Sequence, residues 1–146
     1  MLQLTTDAVE AARRIAYGLT HDLPQPSPAP PSAAGLAGVM DDGAMVWLDM
    51  DDPERRGVFV MHLEEDGAWY VSYAFGPSAR WLDYLEQVCD TFIAKGRGAD
   101  PLRYPPRSPL GKFGADALRS SAARGLCEET ALAAKAKISA LRARVP

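Results

Sequence analysis

Nine acids crowd into residues 41–66: Asp41, Asp42, Asp49, Asp51, Asp52, Glu54, Glu64, Glu65 and Asp66, opposed there only by Arg55 and Arg56. Carboxylates at the close spacing of Asp49, Asp51 and Asp52 have the chemistry of a Mg²⁺ or Ca²⁺ site, because hard cations want several oxygen ligands together. The twelve-residue calcium-loop pattern is absent, however, so no metal is expected. Paired-carboxylate hydrolysis needs two acids facing one another across a cleft, whereas these sit beside turns. A use without catalysis fits better. A row of carboxylates can occupy a basic groove meant for nucleic acid, or steer association with a cationic protein.

The opposite charge lies further along. Arg97, Arg103, Tyr104, Arg107 and Lys112 interleave cations with an aromatic ring, a mixture that can hold phosphates and stack on bases. The glycines of Lys95-Gly96-Arg97-Gly98 form no phosphate cradle, because they follow a helix and so meet its negative end. His62 falls in a strand on the face of Val58, Val60 and Glu64, where a lone histidine is more often packed or surface-exposed than catalytic. An enzyme built on it would gather an acid near Asp49 and the aromatics Trp47 and Tyr73 around a cleft. With His21 remote and no clustered cysteines, no zinc site is expected, and neither a G-x-S-x-G elbow nor a Cys-His arrangement occurs. No cofactor is expected.

Charge is sorted by position over the whole chain. Residues 1–94 carry fifteen acids and five bases, a balance of −10, while residues 95–146 carry four acids and eleven bases, a balance of +7. Either pole meets a charged partner, or the poles satisfy each other within a monomer or across a homodimer. The 146 residues have the length of one ordinary domain, and 47% apolar with 24% charged content excludes wholesale disorder. Cys89 and Cys127 fall in helical patterns and read as reduced structural thiols. The segment MLQLTTDAVEAARR lacks a cationic start followed by an apolar run, and nowhere do eighteen apolar residues run together. The expected location is therefore the cytoplasm, without membrane contact.

The elements that must position these residues follow from periodicity. Val9, Ala12, Ala16 and Leu19 share a helical face within Thr5 to Leu19, with Thr6 as the expected N-cap. Residues 20–36 hold five prolines between positions 24 and 31 and read as an extended tether. Across residues 44–75 the period changes to two, giving three strands in AMVWLDMD, GVFVMHLEE and AWYVSYAF. Asp66-Gly67 suggests a type I′ hairpin, and strict alternation would place Trp69, Val71, Tyr73 and Phe75 on one helix-covered face. A second helix is expected over 79–95. Its apolar arc runs through Trp81, Leu85, Val88 and Phe92, Gly96 closes it, and Arg80, Asp83, Glu86, Gln87 and Asp90 face solvent. Residues 97–115 form a basic Pro/Gly loop, and 116–145 a helical region with a stripe through Cys127, Ala131, Ala134, Ile138, Leu141 and Val145.

Together these predict one α+β domain over residues 1–146, a three-stranded antiparallel meander packed against three to four helices. The order of elements is similar in outline to that of the acidic secretion chaperones, although no motif carries that likeness and the further strands after the second helix are missing. The expected function is that of a non-catalytic protein-interaction molecule: an adaptor, chaperone-like protein or inhibitor engaging a protein partner, of which a basic or nucleic-acid-binding one suits the acidic face. Two surfaces offer themselves. The acidic one comprises Asp49, Asp51, Asp52, Glu54, Glu64, Glu65 and Asp66, and the basic one Arg97, Arg103, Tyr104, Arg107 and Lys112. The alternatives are nucleic-acid contact through residues 95–124 and a small enzyme with a cleft around His62.

Overall fold

A computed structural model describes residues 1–22, 25–26, 29–103 and 129–143. They form an α+β fold. In chain order the elements are β1 (Leu2–Leu4), α1 (Ala8–His21), α2 (Ala33–Asp41), β2 (Met45–Asp49), β3 (Val58–Leu63), β4 (Trp69–Phe75), α3 (Trp81–Ala94), β5 (Leu102–Arg103) and α4 (Ala131–Arg142). The strands make one sheet in the order β1-β2-β3-β4-β5, antiparallel except that β5 runs parallel to β4.

The expected meander is present as β2, β3 and β4, but it is the centre of a five-stranded mixed sheet. The two flanking strands have three and two residues, too short to show a period of two in sequence. Both faces of the sheet are covered. Met45, Trp47, Phe59, Met61, Trp69 and Val71 pack with Leu85, Val88 and Phe92 of α3 and with Ala134 and Ile138 of α4. Val46, Leu48, Val58, Val60 and Phe75 pack with Ala11, Ile15 and Leu19 of α1 and with Leu36 of α2. Two-sided burial explains why β2 is buried at every position, and why MVWL and VFVM are continuous apolar runs.

One irregularity sets the geometry of the candidate site. Met61 pairs with Val71, yet its neighbour Val60 pairs with Tyr73, so Ser72 is an extra residue on β4. This β-bulge breaks the alternation. Trp69, Val71 and Ala74 reach the core under α3 and α4, whereas Phe75 and the partly buried Tyr73 join the layer under α1 and α2. The common face expected for Trp69, Val71, Tyr73 and Phe75 is thus divided in two.

The β3–β4 turn also differs from expectation. Glu64 N–H donates to the Ala68 carbonyl, and Gly67 N–H donates to the Glu64 carbonyl, each at 3.0 Å. Gly67 has φ +80, while Arg55 at φ 53 is the non-glycine with positive φ among the described residues, so Asp66 does not take the conformation that a type I′ turn demands. A three-residue loop, Glu65-Asp66-Gly67, closes the hairpin with only its glycine in the left-handed region. The Asp66 side chain caps it instead, accepting from Ala68 N–H at 2.9 Å.

The helices show the same mixture of agreement and displacement. α3 and its closing Gly96 at φ +72 lie where the apolar arc and glycine place them. α1 begins one residue late, with Asp7 rather than Thr6 as its cap, accepting from Glu10 N–H at 3.0 Å. Its buried face is Ala11, Ile15, Gly18 and Leu19, while Val9 is 71% exposed. Gly18 belongs to that face because a Cβ there would collide with the Phe75 ring. The end of the expected 20–36 tether is helical, for Ser32 caps α2 by accepting from Gly35 N–H at 3.0 Å. α4 covers the Ala131, Ala134 and Ile138 part of the C-terminal stripe, capped by Thr130. The remainder of the 116–145 helical region, including Cys127 and Val145, lies outside the described residues.

Candidate functional site

Ser72 lies beside His62 on the face of the sheet that α2 covers. These residues sit diagonally across the β3–β4 pair, and Ser72 Oγ lies 2.5 Å from His62 Nδ1. Two positions along β3, on the same face, Glu64 Oε1 lies 2.7 Å from His62 Nε2. A carboxylate accepts and cannot donate, so a neutral imidazole must keep its proton on Nε2 and offer the Nδ1 lone pair to the serine hydroxyl. The tautomer follows from the partners. Tyr70, directly across from His62 in the register, supports the imidazole from the side with ring centroids 6.0 Å apart.

These groups are accessible. His62 is 38% and Glu64 51% exposed, and His62, Ser72 and Tyr73 line a groove of about 280 Å³ between the sheet and α2. Its other walls include Leu36, Val39 and Val60. An apolar groove with a few convergent polar groups is the usual form of a small-ligand site. The expected companions of His62 are corrected by the geometry. Trp47 is wholly buried on the opposite face of the sheet, its indole N–H donating to Thr91 Oγ1 at 3.0 Å, and Asp49 lies at the far end of β2. Tyr73 does line the groove. The hydroxyl and acid beside the imidazole are Ser72 and Glu64, of which the His62–Glu64 spacing was visible in the strand pattern, whereas the approach of Ser72 depends on the β3–β4 register, which periodicity does not give.

At the other end of the sheet the acids have a different fate. Asp49 is fully buried and receives the N-terminal ammonium at 2.7 Å on Oδ1, with Tyr84 O–H and Arg80 Nη1 each at 2.7 Å on Oδ2. Asp51 N–H donates to Oδ1 at 3.0 Å. Burial pushes the Asp49 pKa up, but these donors outweigh it and hold the carboxyl well below the usual range. Tyr84 is raised in turn, by burial first and then by the carboxylate it serves. Beside them Arg14, 4% exposed, donates to the carbonyls of Asp49 and Gly57 at 3.0 and 2.9 Å. Asp52, 5% exposed, accepts from the amides of Glu54, Arg56 and Gly57. Asp49 and Asp52 are therefore committed to the fold, not offered to a partner. Asp51 and Glu54 remain exposed, paired with the N-terminal ammonium and Arg56.

The two charge poles meet along α3 and α4. Lys135 pairs with Asp90, and Arg142 pairs with Asp83 and Glu86. The α3 face expected to be merely solvated is thus matched to the last helix, and its Gln87 accepts from Leu2 N–H. Of the basic segment, Arg97 is half-exposed, lies 5.8 Å from the Trp69 ring centre and pairs with Asp100 at 3.4 Å. Arg103 is placed in β5, while Tyr104, Arg107 and Lys112 lie outside the described residues. Among the described residues no three His, Cys, Asp or Glu side chains converge as metal ligands, and no helix is long and apolar enough to cross a membrane.

No known protein family, no curated protein and no solved structure matches this chain.

Proposed function

We propose that this chain is a protein-interaction molecule whose acidic sheet end engages a basic protein partner, a role that needs no catalysis. The observation that carries this reading is an imbalance of pairing. The α4 bases are matched, Lys135 and Arg142 by α3 acids and Lys137 by Glu129, whereas Asp41, Asp42 and Glu65 are exposed and have no ion-pair partner among the described residues. Glu64 and Asp66 join them at the same end, the first in contact with His62 and the second with Tyr70 O–H at 2.6 Å. Val39 and Leu63, 45% and 48% exposed, set apolar surface among these carboxylates. Apolar area within a charged rim is how protein interfaces are commonly built, and a net field of one sign speeds encounter with a partner of the other.

A fluorescent amphipathic peptide of lysine and leucine serves as a probe of this surface. Its anisotropy-measured affinity should weaken by about tenfold or more as salt rises from about 0.05 to about 0.5 M, because exposed charges are screened over that range. The triple variant Asp41→Lys/Asp42→Lys/Glu65→Lys should lose the same binding at low salt. Equal affinity at both salt levels, or an unaffected triple variant, would refute the reading. The alternative, nucleic-acid contact through residues 95–124, instead requires a single-stranded oligonucleotide to bind.

A further inference from the structure

We infer that Ser72, His62 and Glu64 form a nucleophilic acyl-transfer site, with small apolar esters as the class of substrate. This goes beyond the interaction role, rests on different residues and does not depend on it. Three independent features support it. A serine hydroxyl is 2.5 Å from an imidazole nitrogen, which is the reach needed for a base to take its proton. A carboxylate at 2.7 Å on the other nitrogen sets the tautomer that makes this nitrogen the acceptor, and it would stabilise the imidazolium that forms. The third feature is the groove of about 280 Å³, whose Leu36, Val39 and Val60 walls suit a short acyl chain beside the hydroxyl.

The chemistry closes without any further reagent than water. Ser72 Oγ bonds to the ester carbonyl carbon while its proton passes to His62 Nδ1, and the Nε2 proton stays on the Glu64 hydrogen bond. The carbon–oxygen bond to the alcohol then breaks, and the departing oxygen takes the proton from Nδ1. Water adds to the acyl-serine by the same route, giving its proton to Nδ1, and Ser72 leaves with that proton as the acid is released. The resting state is restored, with nothing oxidised or reduced. The site holds a nucleophile, a base and a carboxylate, and an oxyanion donor is not among the described groups placed in it. One such donor is commonly worth 10²–10³ in rate, so slow turnover with a readily detected acyl or phosphonyl adduct is the expected behaviour.

The test uses the whole chain, a fluorophosphonate probe and p-nitrophenyl butyrate. Intact mass and peptide mapping should show one phosphonyl adduct, on Ser72. The adduct should be absent in Ser72→Ala, and its rate of formation should fall by about 10²-fold or more in His62→Gln, the scale expected for loss of a positioned base. Glu64→Gln should lie between His62→Gln and the parent, and butyrate ester cleavage should follow the same order. Thermal melts of the three variants within a few degrees of the parent keep loss of reactivity separate from loss of fold. Labelling of other residues only, no labelling above free serine, or an undiminished rate in a folded His62→Gln protein would overturn the inference. The Asp41→Lys/Asp42→Lys/Glu65→Lys variant should label normally, so the acyl site and the interaction surface can fail separately.

Discussion

Asp49 and Glu64 are both carboxylates near the end of a central strand, yet one is sealed in and the other stands open. Around Asp49 four donors converge on a carboxylate with no exposed surface, and the arrangement has no room for a ligand. Around Glu64 one imidazole is bound, half the side chain faces solvent, and a groove lies alongside. Complete satisfaction makes a polar group structural, whereas incomplete satisfaction beside a cavity leaves it able to act. Hence Asp49 and Asp52 hold the fold together, and His62, Glu64 and Ser72 beside the groove are the ones with chemical reach.

Four measurements would break or sharpen this contrast. The largest effect belongs to Asp49→Ala, which leaves Arg80, Tyr84 and the N-terminal ammonium without their shared acceptor. Breaking such a buried pair generally costs about 3–5 kcal/mol, and a urea midpoint that barely moves would show that the Asp49 hub is not structural. Tyr84→Phe removes one donor to a charged acceptor and should cost about 1.5–3 kcal/mol by the same method.

The pH response comes next. Asp49 has a lowered pKa, and Glu10 is held down to about 2, by Arg13 first, against burial, and then by Arg14. A lowered folded value means that the stabilisation is fully present above the unfolded value near pH 4 and is lost as the pH falls through the folded one. Denaturation at about pH 5 and about pH 2.5 should therefore show a drop that is smaller in Glu10→Gln than in the parent. An identical drop would remove Glu10 from the account. The smallest effect is that of Arg142→Ala, whose partners Asp83 and Glu86 are solvent-facing; about 0.2–1 kcal/mol is expected, fading with salt. A cost as large as that of Asp49→Ala would mean that pairing of the two charge poles, not the buried hub, carries the stability.

The groove was half legible in the sequence. His62 and Glu64 stand two apart on a strand, so their shared face follows from the pleat alone. Ser72 takes the groove face by the same alternation, two positions from Tyr70, but its register against His62 and the bulge that adds Tyr73 to that face are not readable from strand periodicity. The enzyme expected around His62 drew on Trp47 and Asp49 because nothing in a strand pattern tells which face of the sheet, or which end, a neighbour will occupy. Likewise a tally of charge identified the two poles but not their partners. Asp83 and Arg142 are 59 positions apart, and helix packing alone brings them together.

What the sequence determined by itself is what local physics controls: the central strands with their β-branched and aromatic runs, the arc and glycine stop of α3, and the position of the β3–β4 turn. Tertiary structure decided which acids are interior, which face each side chain takes beyond the bulge, and that both sides of the sheet are covered. These depend on contacts between residues distant in the chain. A single extra residue on one strand reverses every orientation after it, and the desolvation of a carboxylate is set by whatever packs over it.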